Sequence, residues 1–261
     1  AVFITGQVNQ YELKGKRRIR QLGFQELDII SMAKPITKGA WQVRTPEEVP
    51  EILAEAFRLA MSIRPGPVLI DIPMNIQRAE LSVAPPTKIS GFEEKIPSLH
   101  DINKLLADIQ KAKRPLILVG GGVRASSTQK VFREFLEVFR IPVVYSLMAV
   151  DVVPYDNPYR VGFIGSYGNR WANLAIGRSD FLLVLGSRLD IRQTGSDTRA
   201  FKGDRIIYHI DCEAGEINNR VIGCYPVLSH LHMFLEKIRQ VMKGVALPNY
   251  AEWMEEITQL K

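Results

Sequence analysis

Two guanidiniums and a carboxylate follow a single apolar run at alternate positions: Arg188, Asp190 and Arg192 in "SDFLLVLGSRLDIRQTG", residues 179–195. The run "FLLVL" has the composition of a strand buried on both faces. A strand fit for a core that ends in such charges marks either a solvated loop or a phosphate-bearing ligand at the mouth of a parallel sheet. Three other apolar runs end in comparable residues: Gly120, Gly121 and Gly122 after "LILV", Ser146, Leu147 and Met148 after "PVVY", and Asp211 and Cys212 after "IIYHI". Gly186 and Ser187 complete the set before Arg188. Glycines let backbone approach a ligand and leave amides at a helix N-terminus for a phosphate. Arginine presents a planar fork that suits a diphosphate, and an acid at a later strand end can accept from ribose hydroxyls. Together these residue types point to a nucleotide-type site.

Gly120, Gly122 and Ala125 also spell G-x-G-x-x-A, the start of a nicotinamide-dinucleotide fingerprint. Such a site wants an acid at the end of the next strand, where this sequence has Ser146. An ordinary NAD site is therefore disfavoured, and tight turns alone remain the plain reading of the glycines.

The elements that must position these residues read as α/β. An apolar strand at residues 1–5 opens the chain as a buried strand would, as if cut from a longer polypeptide. A short helix is expected over 24–32 and an irregular stretch over 34–43. Thr45-Pro46-Glu47-Glu48 reads as a capped helix start. Behind it, Val49, Ile52, Leu53, Ala56, Phe57 and Ala60 recur at helical spacing. "RPGP" stops that helix, and "PVLIDIP" follows as a buried strand. Beyond a proline- and charge-rich stretch, helices and strands alternate over some 150 residues, ending in a helix at about 228–242. That pattern means a doubly wound parallel sheet, with ligands beyond the C-terminal strand ends.

Bulk properties narrow the partners. Lys and Arg number 34 against 28 Asp and Glu, a net charge of +6 that permits an anionic partner without demanding one. The excess is densest in "KGKRRIR", residues 14–20, which reads as a solvated loop or an anion-facing one. No aromatics interleave it, so nucleic acid is not expected. Cys212 and Cys224 are too few and too far apart for a metal site or a disulfide framework, and a reducing compartment is implied. His230 and His232 are expected on different faces of a helix, in structural or surface roles. No apolar run reaches membrane-spanning length, and no signal peptide is expected.

The quoted strand ends, with "IGSYGNRWAN" and "HIDCEAGEI", resemble in order the central domain of acetolactate synthase-like enzymes, which are thiamine diphosphate-dependent carboligases. "ITGQV", "GFQE", "ITKGAWQV" and "RPGPVLIDIP" resemble the second half of that family's pyrimidine-binding domain, and "YAEWMEEITQLK" its linker to a diphosphate-binding domain. The fold implied is a Rossmann-like central domain preceded by the C-terminal half of an α/β pyrimidine-binding domain. The boundaries are 1–84 for that half-domain, 85–98 for a linker, 99–245 for the central FAD-binding-like domain and 246–261 for a second linker.

The activity implied is decarboxylation and carboligation of a 2-keto acid such as pyruvate, in branched-chain amino acid biosynthesis. It would need thiamine diphosphate and Mg²⁺, and FAD is a possible occupant of the cleft. The family's catalytic glutamate lies upstream of "AVFITGQV" and its metal motif downstream of residue 261, so this chain alone is expected to be inactive. A cytoplasmic homodimer or homotetramer with no membrane association follows from the same resemblance. Gly120, Gly121 and Gly122 would run along the FAD diphosphate and ribose. Ser146, Leu147, Met148, Ile164, Gly165, Ser166 and Tyr167 would lie near the isoalloxazine and ribityl chain. Arg64, Gly186, Ser187 and Arg188 would meet the dinucleotide, and Asp211 with Cys212 its adenosine end. Asp190 and Arg192 would face the channel to the thiamine site, with Arg192 meeting a substrate carboxylate. Phe24 and Gln25 would form the pyrimidine-domain wall.

Simpler roles stand beside these. Arg64 could tie down its turn, Asp190 and Arg192 could pair on a surface, and Phe24 could be core. The sequence also departs from the family. Met74 replaces a usual lysine, Ser166 and Tyr167 replace a Met-His pair, and Tyr225-Pro226 stands where Gly-Asp is expected. The basic loop after Gln7 is longer than usual and lacks the customary proline. Because these changes surround the substrate channel, two alternatives stay open: the same chemistry on a nucleotide-linked keto sugar, or a non-catalytic domain with a degenerate cleft.

Overall fold

The computed structural model describes residues 1–81 and 94–261 and divides into two compact units, Ala1–Glu93 and Glu94–Lys261. The division falls inside the expected connector at 85–98, most of which lies outside the described residues.

The first unit holds three parallel strands, β1 (Val2–Gln7), β2 (Gly39–Gln42) and β3 (Val68–Pro73), in the order β1-β3-β2. β3 has a partner on each side and is buried along most of its length, which suits a run that is apolar apart from Asp71. β1 is not the buried strand expected: it sits at the edge, with Phe3 and Ile4 exposed by 53% and 59%. β2 lies where an irregular stretch was expected, because four uniformly half-buried residues carry no period-2 signal.

At the middle of β3 the fully buried carboxylate of Asp71 accepts hydrogen bonds from Thr5 Oγ1 (2.9 Å), Gln42 Nε2 (3.0 Å) and Gln7 Nε2 (3.4 Å). Neutral donors from both neighbouring strands thus satisfy polar oxygens that would be costly to bury without partners.

The helix expected over 24–32 is instead the shorter α1 (Ile29–Ala33), capped by Asp28 through the Ser31 amide at 3.1 Å. Gln25 upstream has φ 65°, which no right-handed helix passes through. α2 (Glu48–Met61) begins later than its Thr45 cap predicts. Pro50 sits in its first turn, where a missing N–H costs nothing. Ala56 and Ala60 face the core as expected, whereas Phe57 is half exposed. α3 (Met74–Gln77) follows β3.

The second unit runs α4 (Leu99–Ile109), β4 (Pro115–Val119), α5 (Gly122–Ala125), α6 (Gln129–Phe139), β5 (Val143–Tyr145), β6 (Arg160–Phe163) and α7 (Arg170–Arg178). It continues with β7 (Phe181–Leu185), α8 (Ile191–Thr194), α9 (Thr198–Lys202), β8 (Ile206–Asp211), β9 (Tyr225–Leu228), α10 (Leu231–Val241) and α11 (Ala251–Gln259). All six strands are parallel, in the order β6-β5-β4-β7-β8-β9. The chain moves outward from β4 to β6, then returns to lay β7 on the other side of β4. That reversal is the topological switch point of a Rossmann-like sheet, where such folds place their ligands.

β4 and β7 are fully buried, and α6 covers the core with Phe132, Phe135 and Phe139. The last two rings are 4.0 Å apart between centroids. Each such side chain contributes roughly 1.5–3 kcal/mol by leaving water.

Residues 246–261, expected as a linker, include α11, whose Trp253 and Ile257 are buried in the same core. Trp253 Nε1 donates to the Pro115 carbonyl at 2.9 Å. His230 and His232, expected to face apart, both meet the segment before α4, because His230 precedes α10 instead of lying within it. His230 Nδ1 accepts from the Lys95 amide at 2.9 Å, and His232 Nε2 lies 3.1 Å from Glu94.

Candidate functional site

β4 and β7 end side by side, and their two following loops cross at contact distance. The Gly120 amide donates to the Leu185 carbonyl and the Gly122 amide to the Gly186 carbonyl, each at 2.9 Å. A Cβ built on Gly120 would lie 2.1 Å from Gly186 O and 2.5 Å from Ser187 Cα. Gly186 itself has φ 59°. The glycines therefore serve backbone crossing first, and two of the three amides expected to be free for a phosphate are occupied. The loop after β5 adds to the same edge: Met148 Cβ lies 2.9 Å from where a Gly121 Cβ would be.

The turn after β7 is built on its own polar groups. Ser187 is buried, its Oγ donating to Gln193 Oε1 at 2.7 Å. Asp190 caps α8, accepting from the Arg192 amide (2.8 Å) and from Gln193 Nε2 (2.7 Å). Its carboxylate thus shapes the turn and meets the backbone of Arg192. Leu189, buried at φ 52°, completes the bend. Arg188 and Arg192 stand exposed on either side of it.

The loop after β6 rests on this turn, since the Ser166 amide donates to the Arg192 carbonyl at 2.8 Å. Asn173 of α7 holds Gly165 from both sides, accepting from its amide at 2.9 Å and donating to its carbonyl at 3.0 Å. Ile164 is buried beneath, whereas Tyr167 is 81% exposed. Leu147, Met148 and Ile191 are exposed apolar side chains on the same loops. Four large apolar groups and two guanidiniums thus line the C-terminal edge around the switch point. Asp211, at the end of β8, is half-buried and accepts from the Glu213 amide at 3.0 Å. Cys212 beside it is half-buried, its carbonyl accepting from Lys95 Nζ at 3.3 Å. Cys224 is buried, which pushes its thiol up to about 11.

One residue absent from the sequence-based set stands under the turn. His209, in the middle of β8, is buried, and its Nε2 lies 2.8 Å from the Ser187 carbonyl. A carbonyl only accepts, so Nε2 carries the proton and the buried Nδ1 is left without a partner. The signal was a histidine inside the apolar run "IIYHI". Burial holds this imidazole below its ordinary value of 6.5. A group depressed in the folded state contributes stability that is full above the unfolded pKa and is lost as pH falls through the folded one. We expect the thermal midpoint to fall as pH drops below about 6.5, and His209→Asn to remove much of that slope. An unchanged slope would assign the drop to other groups, such as His230, also held low by burial and by His232.

In the first unit Phe24 is 83% exposed, not core, and Gln25 is exposed in its left-handed conformation. A non-glycine residue there is uncommon and marks a constrained turn. The Arg64 side chain is exposed. Lys38, which the sequence did not single out, ties that turn: its Nζ donates to the carbonyls of Arg64 (3.0 Å) and Ser62 (2.8 Å) and to Ser62 Oγ. Among the described residues, no cluster of three or more His, Cys, Asp or Glu could hold a metal ion, and no helix is long and apolar enough to cross a membrane.

The family described as thiamine pyrophosphate enzyme, central domain, matches residues 102–238. The chain is similar over its whole length to the acetolactate synthase large subunit of Lactococcus lactis, with 32% identity over 268 residues, and to that of Corynebacterium glutamicum, with 36% over 265. Acetolactate synthase 1, chloroplastic, of Nicotiana tabacum is 32% identical over 269 residues. The chain covers 44%, 41% and 39% of these three relatives, less than half of each.

Proposed function

Since the chain belongs to the thiamine pyrophosphate enzyme family, whose central domain it carries, we propose that it forms part of a decarboxylating carboligase of acetolactate synthase type. The substrate class is a 2-keto acid such as pyruvate, and the assembly is a homodimer or homotetramer in the cytoplasm, serving branched-chain amino acid biosynthesis. Thiamine diphosphate, when bound, supplies the nucleophilic carbon and the electron sink for decarboxylation. This chain's residues bind and orient around it. Phe24 and Gln25 form one wall and exclude water. Arg192 meets the carboxylate of the incoming keto acid through its planar fork. No residue of this chain is assigned to magnesium.

The second unit holds FAD across the switch point. The carrying observation is the edge itself: exposed Leu147, Met148, Tyr167 and Ile191 offer apolar contact for a ring system, with Arg188 beside the glycine crossing for phosphates. The amide of Gly121 lies between two amides already bonded. Ser146, Gly165, Ser166, Ser187, Asp211 and Cys212 complete the proposed set. The test is FAD titration of this chain, followed by flavin absorbance and fluorescence. Saturable binding is expected, weakened about tenfold in Arg188→Ala, which corresponds to about 1.4 kcal/mol. A chain that ignores FAD would overturn the flavin part and favour a degenerate cleft.

A further inference from the structure

We propose that the basic loop at residues 14–20 recognises the diphosphate group of a small acceptor substrate. Five of its seven residues are cationic, Lys14, Lys16, Arg17, Arg18 and Arg20, so this loop alone carries +5 against a net +6 for the chain. Such a concentration would normally be neutralised by neighbouring acids. Here Glu26 and Glu12 are turned onto amides of the chain, and the charges of Glu26 and Asp28 fall on Lys14. Glu26 accepts from the Lys14 and Leu22 amides, each at 2.7 Å, and so clamps the two ends of the loop. Glu12 accepts from the Asn9 amide (3.1 Å) and from Asn9 Nδ2 (2.7 Å). Among the described residues, none of the five cations forms an ion pair with a carboxylate.

The loop is also shaped. Lys14 Nζ donates across it to the Arg20 carbonyl at 3.3 Å, and Arg17 Nη1 to the Leu13 carbonyl at 3.5 Å. Lys16, Arg17, Arg18 and Arg20 are exposed. Three arginine forks on a closed turn of this length match two adjacent phosphates, each offering several acceptor oxygens. A nucleic-acid polymer would call for a longer basic track with stacking aromatics, and no aromatic lies within the loop.

Location ties the ligand to a substrate. Glu26, which clamps the loop, belongs to the same turn as Phe24 and Gln25, and its amide donates to the Gly23 carbonyl at 3.2 Å. The inference rests on the proposed role of Phe24 and Gln25 in walling the thiamine site. A diphosphate held by the loop would bring the rest of its molecule toward that wall, as a nucleotide-linked carbonyl acceptor requires.

The test is calorimetric titration of the full chain with inorganic pyrophosphate and with uridine diphosphate, with and without FAD. The triple variant Arg17→Gln, Arg18→Gln, Arg20→Gln changes only exposed side chains and should fold. We expect at least tenfold weaker pyrophosphate binding in the variant, unchanged FAD binding, and affinity that falls steeply with salt. Equal pyrophosphate affinity in variant and wild type would overturn the proposal, as would tighter loop-dependent binding to an oligonucleotide or to anionic vesicles than to uridine diphosphate. Failure of FAD binding with an arginine-dependent pyrophosphate site intact would instead count against the flavin reading and leave the loop as an anion site.

Discussion

Replacing Gly120 with alanine is expected to cost about 3 kcal/mol or more of stability, at or beyond the upper end of the usual overpacking penalty, and to abolish the proposed FAD binding. The new Cβ would stand 2.1 Å from Gly186 O and 2.5 Å from Ser187 Cα, and both neighbours are backbone. No rotamer change relieves that clash, so β4 and β7 must part at the switch point. The Gly120–Leu185 and Gly122–Gly186 hydrogen bonds lie in the path of that movement. The turn carrying Ser187, Arg188, Asp190 and Arg192 would shift with Gly186.

Thermal denaturation of the second unit reads the first effect, as a drop of about 6–12 °C at roughly 2–4 °C per kcal/mol. FAD titration reads the second. Gly177→Ala is the matched control, because nothing lies within 4 Å of its Cβ position on the exposed side of α7. There the same substitution should be neutral or stabilising by up to about 1 kcal/mol. Similar midpoints for the two variants would show that the crossing is looser than these distances describe.

The same crossing separates what the residues announced from what they concealed. Runs such as "PLILV" and "FLLVL" declare central strands because burial on both faces leaves no room for polar alternation. "GAWQ" and "RVGF" form strands too, but they are short and partly exposed, so burial leaves no continuous apolar run in them. The edge strand β9 carries Pro226, tolerable there because an edge strand need not donate on its open side. Over residues 24–32 the helical spacing is real, but Gln25 in the left-handed region overrides it.

At the site, residue types identified the loops, since glycine and arginine collect where strands end. Which glycine amide is bonded across the crossing depends on a distant strand end, as for Gly120 with Leu185 and Gly122 with Gly186. His209 escaped notice for the same reason. Its role exists only once Ser187, from the adjacent strand's end, is laid over it.

The largest loss outside the site is expected at Trp253, whose replacement by alanine should cost about 3–5 kcal/mol, the usual range for deleting a buried Trp or Phe. This side chain lies in a segment expected to be a mere connector, yet it is buried in the sheet's core and its Nε1 donates to the Pro115 carbonyl at the start of β4. Removing it leaves a cavity beside Ile257 and an acceptor without its donor. Tyr250 fastens the same segment, its hydroxyl donating to the Ile109 carbonyl at 2.9 Å, which ties α4 to the approach of α11.

Glu256, by contrast, meets Arg114 (2.8 Å) and Arg178 (2.9 Å) in partly exposed pairs. Its carboxyl, which burial alone would raise, is held low by Arg178 and Arg114. Exposed pairs of this kind contribute little, so Glu256→Gln should barely move the midpoint while Trp253→Ala lowers it by on the order of 10 °C. Comparable melting of Trp253→Ala and the unaltered chain would mean that α11 only rests on the sheet, as a connector would. A large drop with FAD affinity preserved below the transition would make α11 the closing element of the Rossmann-like core, because its contacts lie at the N-terminal ends of the strands, away from the proposed cleft.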